Sequence, residues 1–291
     1  DPALGTGTWL AAALAHSADS GPGPARCLGL ELMPEAAVMA RDVLGGEFEA
    51  AGWPLEIRVS NTLGLTQPWQ DLGKAEVPVV LGNPPWSGRS ASRELQPSAS
   101  WLADFHRDAS GAPLGERRAG VLSDDYVRFF RWCAEQVRVR HAGGLVCLVT
   151  NGSFLDGSVH RGMRARLLEW FDQVELLDLG GNALLSRAGG EAQRDQNVFG
   201  VRPGVVITWA LKMPTERTPQ GRYAGLRYAR LRYARLRGTR EQKLAHLAAD
   251  GALDFEPLEV DEAPHRFLPL EVSRSGRLAQ EGYLPLDLAM P

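Results

Sequence analysis

The chain alternates between short apolar runs and amphipathic stretches from its first residues to about residue 212. The apolar runs are typical of buried strands and lie at 26–32, 55–60, 77–82, 143–150, 173–179 and 204–212. The amphipathic stretches predict helices at 8–16, 34–52, 123–141 and 159–171. Strands that alternate with helices in this way predict an α/β fold with a mostly parallel sheet.

Local signals mark where several helices begin. Pro34 suits the first turn of a helix, because its fixed backbone angle is helical and no amide partner is needed there. Ser123 is the predicted N-cap of the helix that follows it. Thr239 and Gln242 have the spacing of a capping box, which predicts a further helix over 239–249.

The pattern divides the chain into a main domain, 1–213, and a C-terminal extension, 214–291. Within the main domain, residues 88–122 are rich in Ser, Gly, Arg and Pro, which predicts a long inserted loop. Within the extension, residues 222–236 repeat a five-residue unit as RYAGL, RYARL and RYARL. A local duplication without chemistry is the favoured interpretation, and a basic, aromatic contact with nucleic acid is the alternative.

Composition narrows the class of protein. A formal net charge of −3 and an isoelectric point near 6.1 argue against a protein that coats nucleic acid. The spacing of Cys27, Cys133 and Cys147 fits no metal-ligand set, so we expect no metal site and buried thiols in a reducing cytoplasm. No apolar stretch approaches the roughly 20 residues that a membrane helix needs.

The first motif with chemical meaning lies in Asp1–Leu10 (DPALGTGTWL). Gly5 and Gly7 allow a sharp turn and a close approach of the backbone to a ligand. A helix follows at once, and its free amide groups favour a carboxylate or a phosphate. Glu31 ends the next predicted strand, where a carboxylate can accept hydrogen bonds from both hydroxyls of a ribose. The plainer interpretation of the Gly-rich segment is a simple turn, and that of Glu31 is a helix-capping or surface charge.

A second group of residues follows the predicted strand at 55–60, namely Asn61, Thr62 and Leu63. A short amide side chain at this point can meet the edge of an adenine ring. The plainer interpretation is a turn that the Asn61 side chain stabilises. Considered alone, the group favours the turn.

The most specific motif is Gly82-Asn83-Pro84-Pro85-Trp86, which follows the third predicted strand. The side-chain oxygen of Asn83 and the carbonyl oxygen of Pro84 can accept both hydrogens of an exocyclic amino group, which makes its nitrogen nucleophilic. Pro85 stiffens the loop, and Trp86 offers a flat face on which a base can stack. A base in duplex DNA must leave the double helix before its amine can reach such a loop.

Together these motifs resemble those of N6-adenine DNA methyltransferases of the γ arrangement, in which the cofactor motif precedes the catalytic motif. All of them follow strand ends, at the edge where open α/β sheets bind ligands. The resemblance implies a Rossmann-like fold, S-adenosylmethionine as cofactor, and a flipped adenine of double-stranded DNA as substrate. It implies that the cofactor is bound by Asp1, Pro2, Ala3, Gly5, Thr6, Gly7, Thr8, Glu31, Asn61, Thr62 and Leu63. It implies that catalysis depends on Asn83, Pro84, Pro85 and Trp86, with Trp where Tyr or Phe is more usual.

Stretches further along resemble the methyltransferase module of the type ISP restriction–modification enzymes, which are large single-chain enzymes. These stretches are 124–132, 150–157, 160–164, 177–182, 197–205 and 238–244. The resemblance covers most of residues 1–250 and implies nuclease and helicase regions before the module and a target-recognition domain after it. We therefore expect a segment of a larger protein that lacks the first central strand upstream of Asp1 and is poorly stable and weakly active by itself.

Two alternative functions stay open. The same Asn-Pro-Pro-aromatic loop serves methyltransferases that act on protein glutamine or on RNA amino groups. A non-catalytic scaffold or specificity subunit that has kept the fold is the second alternative, although the intact Gly5, Gly7, Asn83 and Trp86 argue against it.

Four further polar residues could suggest a function, and each also has a structural interpretation. Direct methyl transfer needs no acid–base pair, so Asp156 and His160 are interpreted as structural. Arg161 and Arg164 lie one helical turn apart and are expected on a solvated helix face, with a phosphate contact as the alternative.

Overall fold

The computed structural model describes residues 1–17, 23–24, 26–65, 77–86, 102–116, 119–139, 143–182, 195–214, 230–249, 253–260 and 266–269. The helices are α1 (Thr8–Ser17), α2 (Pro34–Ala50), α3 (Asp125–Arg138), α4 (Arg161–Trp170) and α5 (Arg240–Ala248). The strands are β1 (Cys27–Glu31), β2 (Leu55–Val59), β3 (Val79–Gly82), β4 (Gly144–Asn151), β5 (Gln173–Gly180), β6 (Val205–Lys212), β7 (Arg230–Arg235) and β8 (Glu256–Pro257). The predicted helices and strands are all present, with ends that differ by a few residues.

The strands form two sheets. β1 and β2 pair in parallel, and the other six strands follow the order β3-β4-β6-β5-β7-β8. β3 is parallel to β4, and β5 is parallel to β7. β6 lies between β4 and β5 and is antiparallel to both, and β8 is antiparallel to β7. The predicted Rossmann-like α/β fold is confirmed. Among the described residues three strand pairings are parallel and three are antiparallel, so the strands are more mixed in direction than the sequence pattern predicted.

The start of the chain lies between the two sheets. The backbone nitrogen of Asp1 donates to the Leu28 carbonyl at 2.8 Å, and the Leu30 nitrogen donates to the Asp1 carbonyl at 2.9 Å. A Cβ on Gly82, the last residue of β3, would lie 2.9 Å from Asp1 Oδ1. Among the described residues no strand pairs with β1 on this side or with the outer edge of β3. Asp1 thus occupies the gap between the carboxyl ends of β1 and β3.

Two helices supply much of the core. On α2, Ala37, Ala40, Leu44 and Phe48 recur at helical spacing, and each is at most 1% exposed. α3 is amphipathic and buries its aromatic face, including Trp132, in one cluster with β1 and β3 residues. Burying a side chain such as Leu44 or Phe48 stabilises the fold by about 1.5–3 kcal/mol. This packing joins the two sheets into one body.

The helix starts differ from the predictions at one position. Pro34 is the first residue of α2, and Thr239 and Gln242 form the predicted capping box of α5. The prediction for Ser123 is wrong: it ends the 3-10 helix Ala119–Ser123, and Asp124 takes the N-cap position of α3 without a side-chain cap. Because the chain is already turning at Ser123, the helix begins one residue later.

Residues beyond 213 continue the same sheet. β7 is formed mainly by the third copy of the five-residue repeat and pairs with β5 along its length. Residues 222–229, which hold the first copy and most of the second, and the loop residues 88–101 lie outside the described residues. The division of the chain at 213 stays a prediction. No helix in the described part of the chain is long and apolar enough to cross a membrane.

Candidate active site

The Gly-rich turn leads from the first residues of the chain directly into α1. Gly5 and Gly7 have φ angles of 56° and 92°, in the left-handed region that favours glycine. A Cβ at Gly7 would lie 2.6 Å from Leu44 Cδ1, whereas a Cβ at Gly5 would meet no atom within 4 Å. Gly7 therefore allows α2 to pack closely, and Gly5 faces open space.

Glu31 holds the Gly-rich turn from the next strand. Its Oε2 accepts a hydrogen bond from the Gly5 nitrogen at 2.7 Å, and its Oε1 accepts one from the Met33 nitrogen at 2.8 Å. Each carboxylate oxygen has a second lone pair, so both can accept a further donor. The Glu31 carboxylate thus has the capping role of the plainer interpretation. It also lies beside the open space at Gly5.

Asn61, Thr62 and Leu63 form a turn beside the first residues of the chain. The Asn61 side-chain oxygen accepts from the Leu63 nitrogen at 3.1 Å, as the plainer interpretation of this group requires. Thr62 is buried, and its hydroxyl donates to the Pro2 carbonyl at 2.6 Å. The group therefore braces the Gly-rich turn from a second strand end.

Asp1 is buried at the centre of this arrangement. Its Oδ1 accepts from the Ala3 nitrogen at 2.9 Å, and its buried Oδ2 has no hydrogen-bond partner among the described residues. A buried carboxylate oxygen without a partner is costly, which is typical of a position that a ligand completes. Gly82 makes room for this carboxylate, because any side chain there would collide with it.

The Asn-Pro-Pro-Trp loop follows Gly82 and so begins next to Asp1. Asn83 and Pro85 are exposed, Pro84 is buried, and Trp86 is half-buried. The Trp86 Nε1–H points to the Val149 carbonyl oxygen of β4 at 3.4 Å, which fixes the indole plane at the strand ends. Asn83 thus presents its amide to solvent beside a fixed aromatic ring.

The structure adds an aromatic residue that the sequence motifs did not single out. Phe199 is 50% exposed, and its ring lies edge-on to Trp86, with centroids 5.8 Å apart and planes at 71°. Residues 199 and 86 are far apart in sequence, and the signal that could have found Phe199 is the Asn-Val-Phe stretch at 197–199. The two rings form an apolar corner that is open to solvent next to Asn83.

The strand ends thus bring together the two groups of predicted residues. Asp1, Glu31 and Thr62 lie around the Gly-rich turn, and Gly82 connects this group with the Asn83 loop. The remaining predicted cofactor residues flank the turn, with Thr6 and Thr8 exposed and with Pro2 buried and Ala3 half-buried. The role assigned to each residue stays a prediction, since geometry alone shows proximity.

Two of the four other polar residues, His160 and Arg164, lie in the core. His160 is buried and lies 2.9 Å from the Tyr126 hydroxyl, and burial together with Arg164 lowers its pKa to about 4. The expectation of a solvated face is wrong for Arg164, which is fully buried and donates to the carbonyls of Phe154 and Gly157. The helix packs this side inward, so the guanidinium closes the preceding turn. Burial lowers the pKa of Arg164 to about 9.

The surroundings of the three cysteines make their thiols unreactive. Cys27 and Cys133 are buried and Cys147 is half-buried, and all three are free thiols. Burial raises the pKa of Cys147 to about 11 and raises the pKa of the other two. In the described part of the chain no group of His, Cys, Asp and Glu side chains has the arrangement of a metal site.

Comparison with known proteins gives structural matches alone. No family profile matches the chain, and no curated protein matches it. The cryo-EM structure of the DrdV–DNA complex matches with a TM-score of 0.67 and 22% identity, over 94% of this chain and 28% of that one. The ATP-dependent type ISP restriction–modification enzyme LlaBIII bound to DNA matches with a TM-score of 0.68 and 20% identity, over 91% and 20%. A nuclease-deletion mutant of the type ISP enzyme LlaGI, with a DNA substrate mimic, gives 0.69 and 18%, over 91% and 27%.

These matches establish the fold. The chain spans between 20% and 28% of the length of those proteins. At this level of identity the likeness shows shared architecture, so the chain has a Rossmann-like fold that recurs within restriction–modification enzymes.

Proposed function

We propose that this chain is the catalytic region of an adenine-specific DNA methyltransferase, which transfers a methyl group from S-adenosylmethionine to N6 of adenine in a restriction–modification system of the cytoplasm. The observation that supports this most strongly is the juxtaposition at one sheet edge of the Gly-rich turn and the Asn83–Trp86 loop, joined through Asp1 and Gly82. A cofactor motif and an amine-binding motif must lie side by side for direct transfer. In the matched structures, type ISP enzymes with this fold are bound to DNA.

The residues around the turn fit S-adenosylmethionine. The open space at Gly5 leaves room for the ligand, and the carboxylate of Glu31 beside it suits ribose hydroxyls. The unpartnered Asp1 Oδ2 suits the amino group at the methionine end. Asn61, Thr62 and Leu63 brace the turn on the side that we assign to the cofactor adenine. When bound, the cofactor supplies a methyl group on a positively charged sulfur, which is already a good leaving group.

The Asn83 loop would hold the target amine. Asn83 is exposed and Pro84 follows it in a rigid loop, so the amide oxygen and the Pro84 carbonyl can both accept from an exocyclic amino group. Such hydrogen bonds draw the nitrogen lone pair out of conjugation with the ring. The exposed position of Asn83 gives the displaced proton direct access to water. Positioning rather than acid–base chemistry then supplies most of the rate.

Trp86 and Phe199 would hold the flipped base. Their rings meet edge to face at 5.8 Å, and Phe199 is half exposed, so a planar base can lie on one ring with its edge against the other. Stacking on an aromatic side chain contributes about 1–3 kcal/mol per base. That is comparable with the few kcal/mol needed to take a base out of the duplex, so the pocket offsets much of the cost.

The resemblance to type ISP enzymes extends the proposal to partners. We propose that the full protein carries nuclease and helicase regions before this region and a target-recognition domain after it. Double-stranded DNA is the proposed substrate, and the target-recognition domain would select the sequence.

Product identification tests the proposal. The protein is incubated with S-adenosylmethionine carrying a labelled methyl group and unmethylated plasmid DNA, and the DNA is digested to nucleosides for mass spectrometry. We expect the label in N6-methyldeoxyadenosine. Label in N4-methyldeoxycytidine would move the substrate to cytosine. Label in RNA or protein supplied in parallel reactions, with none in DNA, would favour the alternative methyltransferases.

A further inference from the structure

A lysine from the C-terminal extension is fully buried next to the candidate base pocket. Lys243 of α5 has no exposed side-chain surface. Its ammonium group forms an ion pair with Asp195 Oδ1 at 2.6 Å and donates to the carbonyls of Leu179 and Gln196, each at 2.6 Å. An ammonium has three hydrogens, so this group is completely satisfied. Lysine is among the residues least often fully buried, so the arrangement needs a reason.

The partners of Lys243 lie at the entry to the loop that carries Phe199. Asp195 Oδ2 accepts from the Gly181 nitrogen at 2.8 Å, which ties this entry to the end of β5. The Gln196 nitrogen donates to the Gly238 carbonyl at 2.9 Å, and the Arg240 nitrogen donates to Gln196 Oε1 at 2.9 Å. The entry is thus clamped between the sheet edge and the start of α5.

Asn197 transmits this clamp to Phe199. Its side-chain nitrogen donates to the carbonyls of Gly181 and Pro203, at 3.2 and 2.8 Å. Its side-chain oxygen accepts from the backbone nitrogens of Phe199 and Val201, at 2.9 and 3.2 Å. The backbone that carries the Phe199 ring is therefore fixed relative to Asn197, and Asn197 follows directly on the two residues that Lys243 holds.

A second set of contacts secures the same extension to the sheet. Arg237 and the Tyr233 hydroxyl both donate to Asp178 Oδ2 at 2.7 Å, and Arg237 approaches Asp195 at 3.4 Å. Burial alone would raise the pKa of Asp178, but Arg237 and Tyr233 hold that pKa below its usual range. The carboxylate therefore stays charged, and the start of α5 is anchored beside the pocket.

We propose that Lys243 is a positioning residue for the target base, because its contacts with Asp195 and Gln196 hold the loop that places Phe199 against Trp86. The inference deepens the proposed function and rests on it for the identity of the bound base. It assigns α5, which lies outside the main domain predicted from the sequence, to the catalytic unit. Lys243 itself touches neither aromatic ring, so its effect acts through the loop.

A spectroscopic experiment tests the positioning independently of activity. The protein is labelled with fluorotryptophan, and the Trp86 resonance is assigned with Trp86→Phe. Phe199→Ala shows how the resonance changes when the ring contact is lost. We expect Lys243→Met to move the Trp86 resonance in the same direction while the other tryptophan resonances stay in place. Lys212→Met is the matched control, because Lys212 ends β6 at the opposite edge of the sheet.

A variant that loses one member of an ion pair can fail to fold, because it leaves a buried charge without its partner. Lys243→Met combined with Asp195→Asn removes both charges, and an Asn oxygen can still accept from the Gly181 nitrogen. The Trp86 resonance of this double variant is expected to match that of Phe199→Ala. An unchanged Trp86 resonance in a folded Lys243 variant would overturn the proposal.

Kinetics supply the second readout. We expect the Lys243 variants to lower kcat for methyl transfer about ten- to hundredfold, the range typical of a misplaced reacting group, with an unchanged Kd for S-adenosylmethionine. Adding Phe199→Ala to a Lys243 variant should lower kcat no further, because both changes remove the same contact between Phe199 and Trp86. A further multiplicative loss would give Lys243 a separate structural role and contradict the proposal. If the full-length wild-type protein methylates no DNA, the proposed function fails, and the fluorine spectra still decide the positioning.

Discussion

The Gly-rich turn offers a matched pair of substitutions that separates ligand binding from folding. Gly5→Ala and Gly7→Ala each place a side chain on left-handed backbone, which costs about 1–2 kcal/mol. The two sites differ in their surroundings. A Cβ at Gly7 would lie 2.6 Å from Leu44 Cδ1, whereas a Cβ at Gly5 would meet nothing within 4 Å.

The expected magnitudes follow from that difference. Overpacking against Leu44 costs about 1–3 kcal/mol, so Gly7→Ala should lower the free energy of unfolding by about 2–5 kcal/mol in total. Gly5→Ala should lower it by only about 1–2 kcal/mol. The methyl group at Gly5 enters the space that we assign to the cofactor. A conflict there of about 1–3 kcal/mol corresponds to about 5- to 150-fold weaker binding of S-adenosylmethionine.

The assay combines urea unfolding with titration calorimetry. We expect Gly7→Ala to be the less stable variant. Gly5→Ala should bind S-adenosylmethionine more weakly than the fraction of unfolded protein accounts for. Leu44→Ala added to Gly7→Ala should cost less than the sum of the two changes, because it opens space for the new methyl group. Undiminished cofactor binding by Gly5→Ala would refute the assignment of the open space. Equal destabilisation by the two alanines would refute the packing argument.

Two further predictions concern stability. Burial and Arg164 hold the pKa of His160 at about 4, against about 6.5 in an unfolded chain. The free energy of unfolding should therefore fall by about 3 kcal/mol as the pH drops from about 6.5 to about 4, because the unfolded chain binds the proton more readily. Urea unfolding across this pH range measures the effect, and an equal fall for His160→Gln would contradict the prediction. Thr62→Val removes the buried hydrogen bond to the Pro2 carbonyl and should lower the free energy of unfolding by about 1–3 kcal/mol. Thermal unfolding measures this effect, and an unchanged stability would contradict the prediction.

Much of the fold and part of the site follow from local sequence signals. The short apolar runs locate the strands, and the predicted site residues from Glu31 onward lie at or shortly after strand ends. Parallel strands place those ends at one edge, so the contacts of Glu31 with Gly5 and of Thr62 with Pro2 express a proximity that the sequence already implies. The capping box of α5 is also a local signal, because it needs only residues 239 and 242.

Other features depend on contacts between distant segments. The antiparallel direction of β6 is invisible in its apolar pattern, which reads the same both ways. The burial of Arg164 and Lys243 depends on what packs against their helices, and each charge is tolerated only because carbonyl groups from elsewhere surround it. The contact of Phe199 with Trp86 joins two loops whose nearness follows from strand order, which the sequence does not reveal.

The amine-binding role of Asn83 is the central claim, and single-turnover methyl transfer by Asn83→Ala tests it most directly. The side chain is exposed at the end of β3, so the change should leave folding and the Kd for S-adenosylmethionine unaltered. We predict that formation of N6-methyldeoxyadenosine slows by about 100- to 1,000-fold, as when other preorganised hydrogen-bond partners are removed. Methylation at the wild-type rate would contradict the account, and a full-length wild-type protein that transfers no methyl group would favour the scaffold alternative.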